Sequence, residues 1–308
     1  MHPWVRIFSF LSALTLAVVL GAGVATAKQP DGDAFVPMRA NAQHSQRPGG
    51  GGQTNLLSSR GGNVQTATKV YISYWGPEWG TGFSTGGRAS SAAQTYVEGF
   101  FGNVGGSDWI NTDTQYCQGV AYGTTSCTNV ASALHAGNAT VLFGGSWNDP
   151  TAVPTKPTQS QIAAAAVRLR NHFPSADPAQ STFMVFTPHG KSMSGFGTQW
   201  CAWHSSSGNL AYAYIPYMPD AGASCGMNFV NQSTGYFDGF SIVAGHEYAE
   251  AQTDPYPNSG WLDRNGEESA DKCAWSSLSG DITLGGLPYA VQPLWSNKAG
   301  GCVAVPAV

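Results

Sequence analysis

The chain has 308 residues, of which 10% are charged, and its formal net charge is -4 at pH 7. This negative balance argues against nucleic acid as a partner, because phosphate backbones are bound by clustered lysine and arginine. Aromatic residues make up 12% of the chain, and glycine contributes 39 residues. Such a composition suits an extracellular protein that relies on loops, disulfides and neutral hydrogen bonds.

The N-terminal segment has the order of a secretory signal peptide. Arg6 precedes an apolar run over residues 7–24, and residues 25–27 (Ala-Thr-Ala) supply small side chains at a cleavage position. We therefore predict that residues 1–27 are removed, which makes the protein secreted and extracellular, with no membrane association afterwards. A single uncleaved span is the alternative interpretation, and no later stretch is apolar enough to cross a bilayer.

The segment after the signal peptide differs in composition from the rest of the chain. Residues 28–67 contain a glycine run, scattered proline and no apolar period, which predicts a disordered leader or a short propeptide. Residues 68–308 show no internal repeat. They are predicted to form one α+β domain of catalytic type, long enough for a substantial core.

The elements of this domain follow from hydrophobic periodicity and from helix-end signals. Alternating β-branched and aromatic residues from Thr68 predict a first strand that ends at Gly76-Pro77. The later elements, in chain order, are a helix (89–104), a disulfide-closed loop (115–128), a strand (139–145), a capped helix (158–173), two strands (181–190 and 209–218), a helix from about Phe240 to Thr253, and short strands in the glycine-rich C-terminal region.

Six cysteines lie in the exported part of the chain, where they can oxidise. No C-x-x-C pair supports zinc binding by these thiols, which is the competing interpretation. We favour sequential pairing because each bond then closes one local loop. The predicted disulfides are Cys117 with Cys127, Cys201 with Cys225, and Cys273 with Cys302.

The helix near Phe240 contains most of a zinc protease motif. His246 and Glu247 stand in the usual order, but Glu250 occupies the position of the second histidine. Residues four apart lie on the same side of a helix, so His246 and Glu250 could bind one ion, and Glu247 could take a proton from water beside it. Zinc accepts a carboxylate oxygen at a distance similar to that of an imidazole nitrogen, so the substitution preserves a metal site.

A third protein ligand would leave one position open for water. The downstream stretch GEESADKC supplies Glu267, Glu268 and Asp271. Glu268 and Asp271 are the leading candidates, and Glu267 is less favoured. A disulfide at Cys273 would fix this segment in place.

Simpler interpretations exist for the same residues. The helix could be a solvated acidic face, although a second acidic cluster in a chain with few charges favours a metal site. His189 and His204 could line a cleft, or they could have structural roles only. An aromatic shelf could form at Trp200 and Trp203, but core packing explains both equally well. We interpret Asp108 and Asp113 as turn formers, and no G-x-S-x-G motif supports a serine hydrolase.

Two stretches carry a family resemblance. GHEYAEAQTDP and GWLDRNGEESADKCAW resemble the H-E-x-x-E, T-D-P and E-x-x-D-x-C pattern of secreted bacterial proteins with zinc-peptidase character. More distantly, VYISYWGPEW, CAWH and DGFSIVAG are similar to the plant EXORDIUM, or phosphate-induced, extracellular proteins. The first resemblance implies a single zincin-like α+β domain with a mixed sheet and an active-site helix; the second implies an extracellular protein without an established catalytic site.

The leading hypothesis is a secreted zinc-dependent endopeptidase that hydrolyses peptide bonds through metal-activated water. One Zn²⁺ ion would be held by His246, Glu250 and either Glu268 or Asp271, and Glu247 would be the catalytic base. Its partner is then a protein or peptide substrate, and we expect a monomer. A structural Ca²⁺ ion is a further candidate ligand.

Two other functions stay open. The first is a non-catalytic, EXORDIUM-like protein that binds cell-wall polymer and whose acidic helix is structural or holds calcium. The second is hydrolysis without a metal, by Glu247 together with Glu250 or Asp254, in an enzyme active at acid pH.

Overall fold

The computed structural model describes residues 34–37 and 55–303. Its strands are Ala34–Pro37 (β1), Ser58–Ser59 (β2), Lys69–Trp75 (β3), Ser84–Thr85 (β4), Arg88–Ala89 (β5), Phe143–Asp149 (β6), Ser181–Phe186 (β7), Trp200–Ser207 (β8), Leu210–Ile215 (β9), Trp261–Leu262 (β10), Gly280–Leu284 (β11), Leu287–Val291 (β12), Leu294–Ser296 (β13) and Gly301–Val303 (β14). Its α-helices are Pro77–Thr81 (α1), Ser90–Asn103 (α2), Asp108–Asn111 (α3), Gln159–His172 (α4) and Asp238–Thr253 (α5). Short 3₁₀ helices include Thr112–Gln115, Met218–Cys225 and Asp271–Cys273.

The central sheet has six strands in the order β1-β8-β9-β7-β3-β6. Strands β6, β3, β7 and β9 run parallel to one another, whereas β8 is antiparallel to β9 and β1 is antiparallel to β8. The prediction of an α+β domain with a mixed sheet is therefore confirmed.

Both faces of this sheet are covered, which explains the nearly continuous apolar runs of the inner parallel strands β3, β7 and β9. In β3, Val70, Ile72 and Tyr74 belong to one core cluster, and Tyr71 and Trp75 belong to another. Successive side chains of a strand point to opposite faces, so each cluster takes alternate residues. Helices then pack on the two faces.

Helix α4 covers one face. The Thr158 side chain accepts a hydrogen bond from the backbone N–H of Gln161, and the Gln161 side chain accepts one from the backbone N–H of Thr158. This reciprocal capping box fixes the start of the helix. Ile162 and Leu169 are buried in the cluster that also contains alternate residues of β3 and β7. The helix predicted over 158–173 is confirmed.

Helix α5 covers the other face and carries the H-E-x-x-E motif. Its 16 residues are all buried, and it packs against β8, β9, β12 and α2. Glu247 and Glu250 have no exposed surface, and neither does Asp254 at the end of the helix. The interpretation of this helix as a solvated acidic face is therefore wrong. The helix begins at Asp238, slightly before the predicted start at Phe240.

The three disulfides were predicted correctly, and every cysteine is paired. They join Cys117 to Cys127, Cys201 to Cys225, and Cys273 to Cys302.

Two parts of the segment predicted as a disordered leader have defined structure. Ala34–Pro37 forms β1 at the edge of the central sheet. Residues 55–67 pack on the domain, with Leu57 and Val64 buried. The prediction of disorder is wrong for these two parts, because sheet edges and core positions elsewhere in the domain supply partners that local composition does not reveal.

Two strands of the sheet differ from the predicted elements. Strand β6 was predicted to begin at residue 139, but it begins at Phe143. Its parallel pairing with β3 starts at Phe143. Strand β8 was not predicted, and it forms through antiparallel pairing with β9. Its residues Trp200 and Trp203 are buried, so both side chains pack in the core and do not form an exposed aromatic shelf.

In the part of the chain that the structure describes, no helix is both long and apolar enough to span a bilayer. The signal peptide predicted for residues 1–27 lies outside the described residues.

Candidate metal centre

Helix α5 places His246 and Glu250 one turn apart on the same side, as their spacing predicts. Nε2 of His246 lies 2.8 Å from Oε1 of Glu250. Both side chains are fully buried. The two are therefore close enough to bind one ion together.

The orientation of the His246 ring is set by Gln292. The Gln292 side chain donates through Nε2 to the carbonyl oxygen of Ala270 at 2.8 Å, and its Oε1 lies 3.1 Å from Nδ1 of His246. Because an amide oxygen only accepts, Nδ1 carries the proton of the neutral ring and donates it to Gln292. The lone pair of Nε2 then faces Glu250.

Asp271 lies on the same side of Glu250 as His246. Its Oδ1 is 3.5 Å from Nε2 of His246, and its backbone N–H donates to Oε1 of Glu250 at 3.0 Å. One ligand atom each from His246, Glu250 and Asp271 lie within 4.8 Å of one another. The Asp271 side chain is 18% exposed, so it is the ligand of this set that borders solvent.

The loop that carries Asp271 is anchored by an ion pair and a disulfide. The Asp263 carboxylate accepts from Nζ of Lys272 at 2.9 Å and from the backbone N–H of Glu267 at 3.0 Å. The disulfide between Cys273 and Cys302 adds a covalent link directly after Lys272. These contacts determine which acidic side chain of the loop reaches His246.

His204, on β8, lies on the other side of Glu250. Its Nδ1 is 3.3 Å from Oε2 of Glu247 and 3.6 Å from Oε2 of Glu250. Its Nε2 is 3.2 Å from the carbonyl oxygen of Asp254 and 3.8 Å from Oε2 of Glu268. His204, Glu250 and Glu268 form a second set of ligand atoms within 4.8 Å of one another.

The structure therefore separates the candidates for the third ligand. Asp271 joins His246 and Glu250, whereas Glu268 joins His204 and Glu250. The less favoured Glu267 belongs to neither set.

His204 was not predicted as a metal ligand. Period-2 alternation in WCAWHSSS becomes informative only when the segment is known to be a strand, since it then places His204 on the same face as Ala202, the face that α5 covers.

Glu247 is fully buried beside both histidines. Burial raises the pKa of Glu247 to about 7, although hydrogen bonding to His204 and the charge of His246 act in the opposite direction. A carboxylate with a pKa near neutrality is suited to accept and return a proton.

Four buried polar atoms at this place have no hydrogen-bond partner of suitable geometry among the described residues. They are Nε2 of His246, Oε1 of Glu247, Oε2 of Glu250 and Oε1 of Glu268. Nearly all buried polar atoms in proteins are satisfied, so a cluster of four requires an explanation. A metal cation matches these atoms, because imidazole lone pairs and carboxylate oxygens are zinc ligands.

Opposite charges shift the pKa values of the candidate ligands in opposite directions. Burial lowers the pKa of His246 and of His204, but the neighbouring carboxylates, Glu250 for the first and Glu268 for the second, outweigh it and place both values well above the ordinary one. Burial raises the pKa of Glu250, but the two histidines bring it down to about 2. Protons and a metal ion would therefore compete for the same nitrogens.

The acidic residues around Glu250 also affect one another. Burial, followed by the charge of Glu250, raises the pKa of Glu268, of Asp271 and of Asp113. Asp113 lies in the 3₁₀ helix Thr112–Gln115 and is fully buried. Its interpretation as a simple turn former therefore misses its position near the carboxylate cluster.

Two other residues considered from sequence lie outside both ligand sets. His189 is 55% exposed, and its Nδ1 lies 2.5 Å from Oδ1 of Asp220. The Asp254 carboxylate accepts from the backbone N–H groups of Asn258 and Gly260, each at 2.7 Å, so it closes the turn after α5.

Comparison of the chain with protein-family models, with curated proteins and with solved structures gives no significant match. The function is therefore inferred from the geometry of the centre.

Proposed function

We propose that the protein is a secreted zinc-dependent endopeptidase whose ion is held by His246, Glu250 and Asp271. The observation that carries this proposal is Nε2 of His246, which is buried, has no hydrogen-bond partner of suitable geometry among the described residues, and lies 2.8 Å and 3.5 Å from carboxylate oxygens of Glu250 and Asp271. One imidazole and two carboxylates satisfy the ligand preferences of Zn²⁺ and leave one position of a tetrahedral site open. An imidazole ligand also favours a transition-metal ion over Ca²⁺.

The proposed chemistry assigns the proton transfers to Glu247. When bound, zinc supplies a Lewis acid that polarises a peptide carbonyl and makes water more acidic. Glu247 follows His246 in α5, and its Oε1 has no hydrogen-bond partner in the part of the chain that the structure describes. This oxygen can accept a proton from the attacking water and return it to the leaving amine nitrogen.

A peptide can reach this buried centre only if something that covers it moves. Strand β1 is paired with β8 so that Ala34 lies opposite His204, and it also lies beside α5 and the Asp271–Cys273 helix. An extended peptide that replaced β1 on this edge would run past His204. We therefore propose that the arrangement with β1 in place is a latent form of a zincin-like peptidase.

The test of this proposal is the Glu247→Gln variant, with Glu267→Gln as the matched control, each compared with the wild-type site in a chain whose β1 is displaced. Glutamine keeps the shape of the side chain but cannot accept the proton. Hydrolysis of casein should fall by about 10²- to 10⁴-fold in Glu247→Gln, while zinc content is unchanged and Glu267→Gln retains activity. Cleavage at the wild-type rate by Glu247→Gln would reject the mechanism.

Burial of His246, Glu247 and Glu250 favours a second candidate function, a non-catalytic extracellular protein in which the ion is structural. Glu247 and His246 have no exposed surface, as expected for a closed structural site. In this case zinc removal should lower thermal stability, and neither the wild type nor a variant with β1 displaced should cleave any peptide.

A further inference from the structure

We propose that Glu250 bridges two divalent metal ions, the second of which is held by His204 and Glu268. The inference extends the proposed zinc centre of His246, Glu250 and Asp271. It concerns metal content and can therefore be tested separately from peptide hydrolysis.

Glu250 lies between two imidazole rings and presents one carboxylate oxygen to each. Its Oε1 is 2.8 Å from Nε2 of His246, and its Oε2 is 3.6 Å from Nδ1 of His204. A carboxylate in this position can bind one ion through each oxygen. Paired ions about 3.5–4 Å apart are a known arrangement in metal-dependent hydrolases.

One nitrogen of each ring has a carbonyl or amide oxygen as its partner, and the other faces carboxylates. Nδ1 of His246 donates to Gln292, as described above. Nε2 of His204 lies 3.2 Å from the carbonyl oxygen of Asp254, which can only accept, and its Nδ1 lies 3.3 Å from Oε2 of Glu247 and 3.6 Å from Oε2 of Glu250. An ion bound at Nδ1 would leave the proton of the His204 ring on Nε2. Ligating histidines commonly donate their other N–H to a carbonyl or carboxylate in this way.

A single ion does not account for both histidines. Ligands of one zinc ion lie about 2.0–2.2 Å from it, so two of them are at most about 4.4 Å apart. Among the described residues, the two sets of close ligand atoms share Glu250, and neither set contains both His204 and His246. One ion therefore cannot be held by both histidines, and a second ion is required if both bind metal.

The charges are consistent with two ions. Glu247, Glu250 and Glu268 are almost fully buried, Asp271 is largely so, and the ion pairs found for them in the described region are with histidines. Two divalent ions carry as much positive charge as these four carboxylates carry negative charge when all four are ionised and both histidines are neutral. Protons provide the neutralisation when no metal is bound, because buried uncompensated charge is strongly unfavourable.

Oxygens of the second set also lack partners. Oε1 of Glu268 and Oε2 of Glu250 are buried and accept no hydrogen bond from the described residues. These two unsatisfied oxygens distinguish the set from a cluster of acidic residues that bond to one another.

The experiment is elemental analysis of the untagged full chain, stripped with a chelator and then dialysed against Zn²⁺. We expect two zinc ions per chain in the wild type, and one in His204→Gln and in His246→Gln. The control His172→Gln changes an exposed histidine and should retain two. One ion per chain in the wild type would overturn the proposal, whichever histidine variant loses it.

A titration of the wild type with Co²⁺ provides a second measurement that does not depend on folding of the variants. The visible absorption of bound Co²⁺ should stop rising at two equivalents, and saturation at one equivalent would contradict the two-ion centre. Two ions together with no peptide hydrolysis even after displacement of β1 would support this inference and count against the endopeptidase. One ion together with hydrolysis would do the reverse.

Discussion

Gln292 accepts a hydrogen bond from Nδ1 of His246 and thereby determines which nitrogen of that ring can bind a metal ion. The amide is itself held, since its Nε2 donates to the carbonyl oxygen of Ala270. Gln292 belongs to the segment after β12, far along the chain from α5. The tautomer of the motif histidine is thus fixed by a residue outside the motif.

Replacing Gln292 should weaken metal binding without removing a ligand. In Gln292→Leu the ring loses its acceptor, so we expect zinc affinity to fall by about 10- to 100-fold. Gln292→Glu keeps an oxygen acceptor and should retain more of the affinity. Competition with a chromophoric chelator measures both variants. Equal affinity of Gln292→Leu and the wild type would show that the hydrogen bond has no role in binding.

The disulfide between Cys273 and Cys302 should affect both stability and metal binding. It closes a loop with a sequence separation of 29, so removing it by paired serine substitution should cost about 3–4 kcal/mol of unfolding free energy. Because Asp271 lies two residues before Cys273, zinc affinity should fall as well.

The matched control is removal of the disulfide between Cys117 and Cys127, which has a sequence separation of 10. It should cost about 3 kcal/mol with less effect on zinc affinity. Denaturant unfolding and zinc competition separate the two effects. An equal loss of affinity in both double variants would mean that general destabilisation, and not the position of Asp271, is responsible.

Helix α4 could be predicted almost to the residue because its signals are local. Thr158 and Gln161 form the capping box, and Pro174 follows the end of the helix. The H-E-x-x-E helix was predictable for the same reason. Strand β8 was not, because WCAWHSSS has weak strand signals and becomes a strand through pairing with β9.

The ligand sets could be predicted only in part. Spacing along a helix placed His246 and Glu250 together, whereas the choice between Glu268 and Asp271 depends on the path of a loop. That path is determined by long-range contacts such as the disulfide to Cys302. His204 could not be selected without knowledge of β8. It lies 42 positions before His246 in the sequence, and no helical or strand period predicts contact over that separation.

The Asp263→Asn variant should be destabilised in a pH-dependent manner. Burial raises the pKa of Asp263, but the hydrogen bond from Lys272 and the backbone N–H of Glu267 outweigh it, so the folded-state pKa lies below the ordinary value. A depressed carboxyl pKa contributes stability that is complete above the unfolded pKa of about 3.9 and is lost as the pH falls through the folded value.

At pH 7 we expect Asp263→Asn to lose about 2 kcal/mol of unfolding free energy. The difference from the wild type should shrink below about pH 4. Urea unfolding of both proteins at several pH values, with chelator present, tests this. The exposed Asp108 serves as a control, because Asp108→Asn should change stability by less than about 0.5 kcal/mol. A difference for Asp263→Asn that stays constant down to pH 2 would contradict the assigned role.

Displacement of β1 should open the centre. Alternate N–H groups of a strand point towards its partner, so replacing both Phe35 and Val36 by proline removes at least one donor to β8 whichever residue supplies it. Without β1, the edge beside His204 is free to accept another extended chain. We expect a chelator to remove zinc several-fold faster from the double proline variant than from the wild type, and peptide hydrolysis to increase.

The double alanine variant at the same positions keeps both N–H groups and should behave as the wild type does. If zinc leaves both variants at the wild-type rate, β1 does not control access to the centre, and the path to the metal must lie on the exposed side of Asp271.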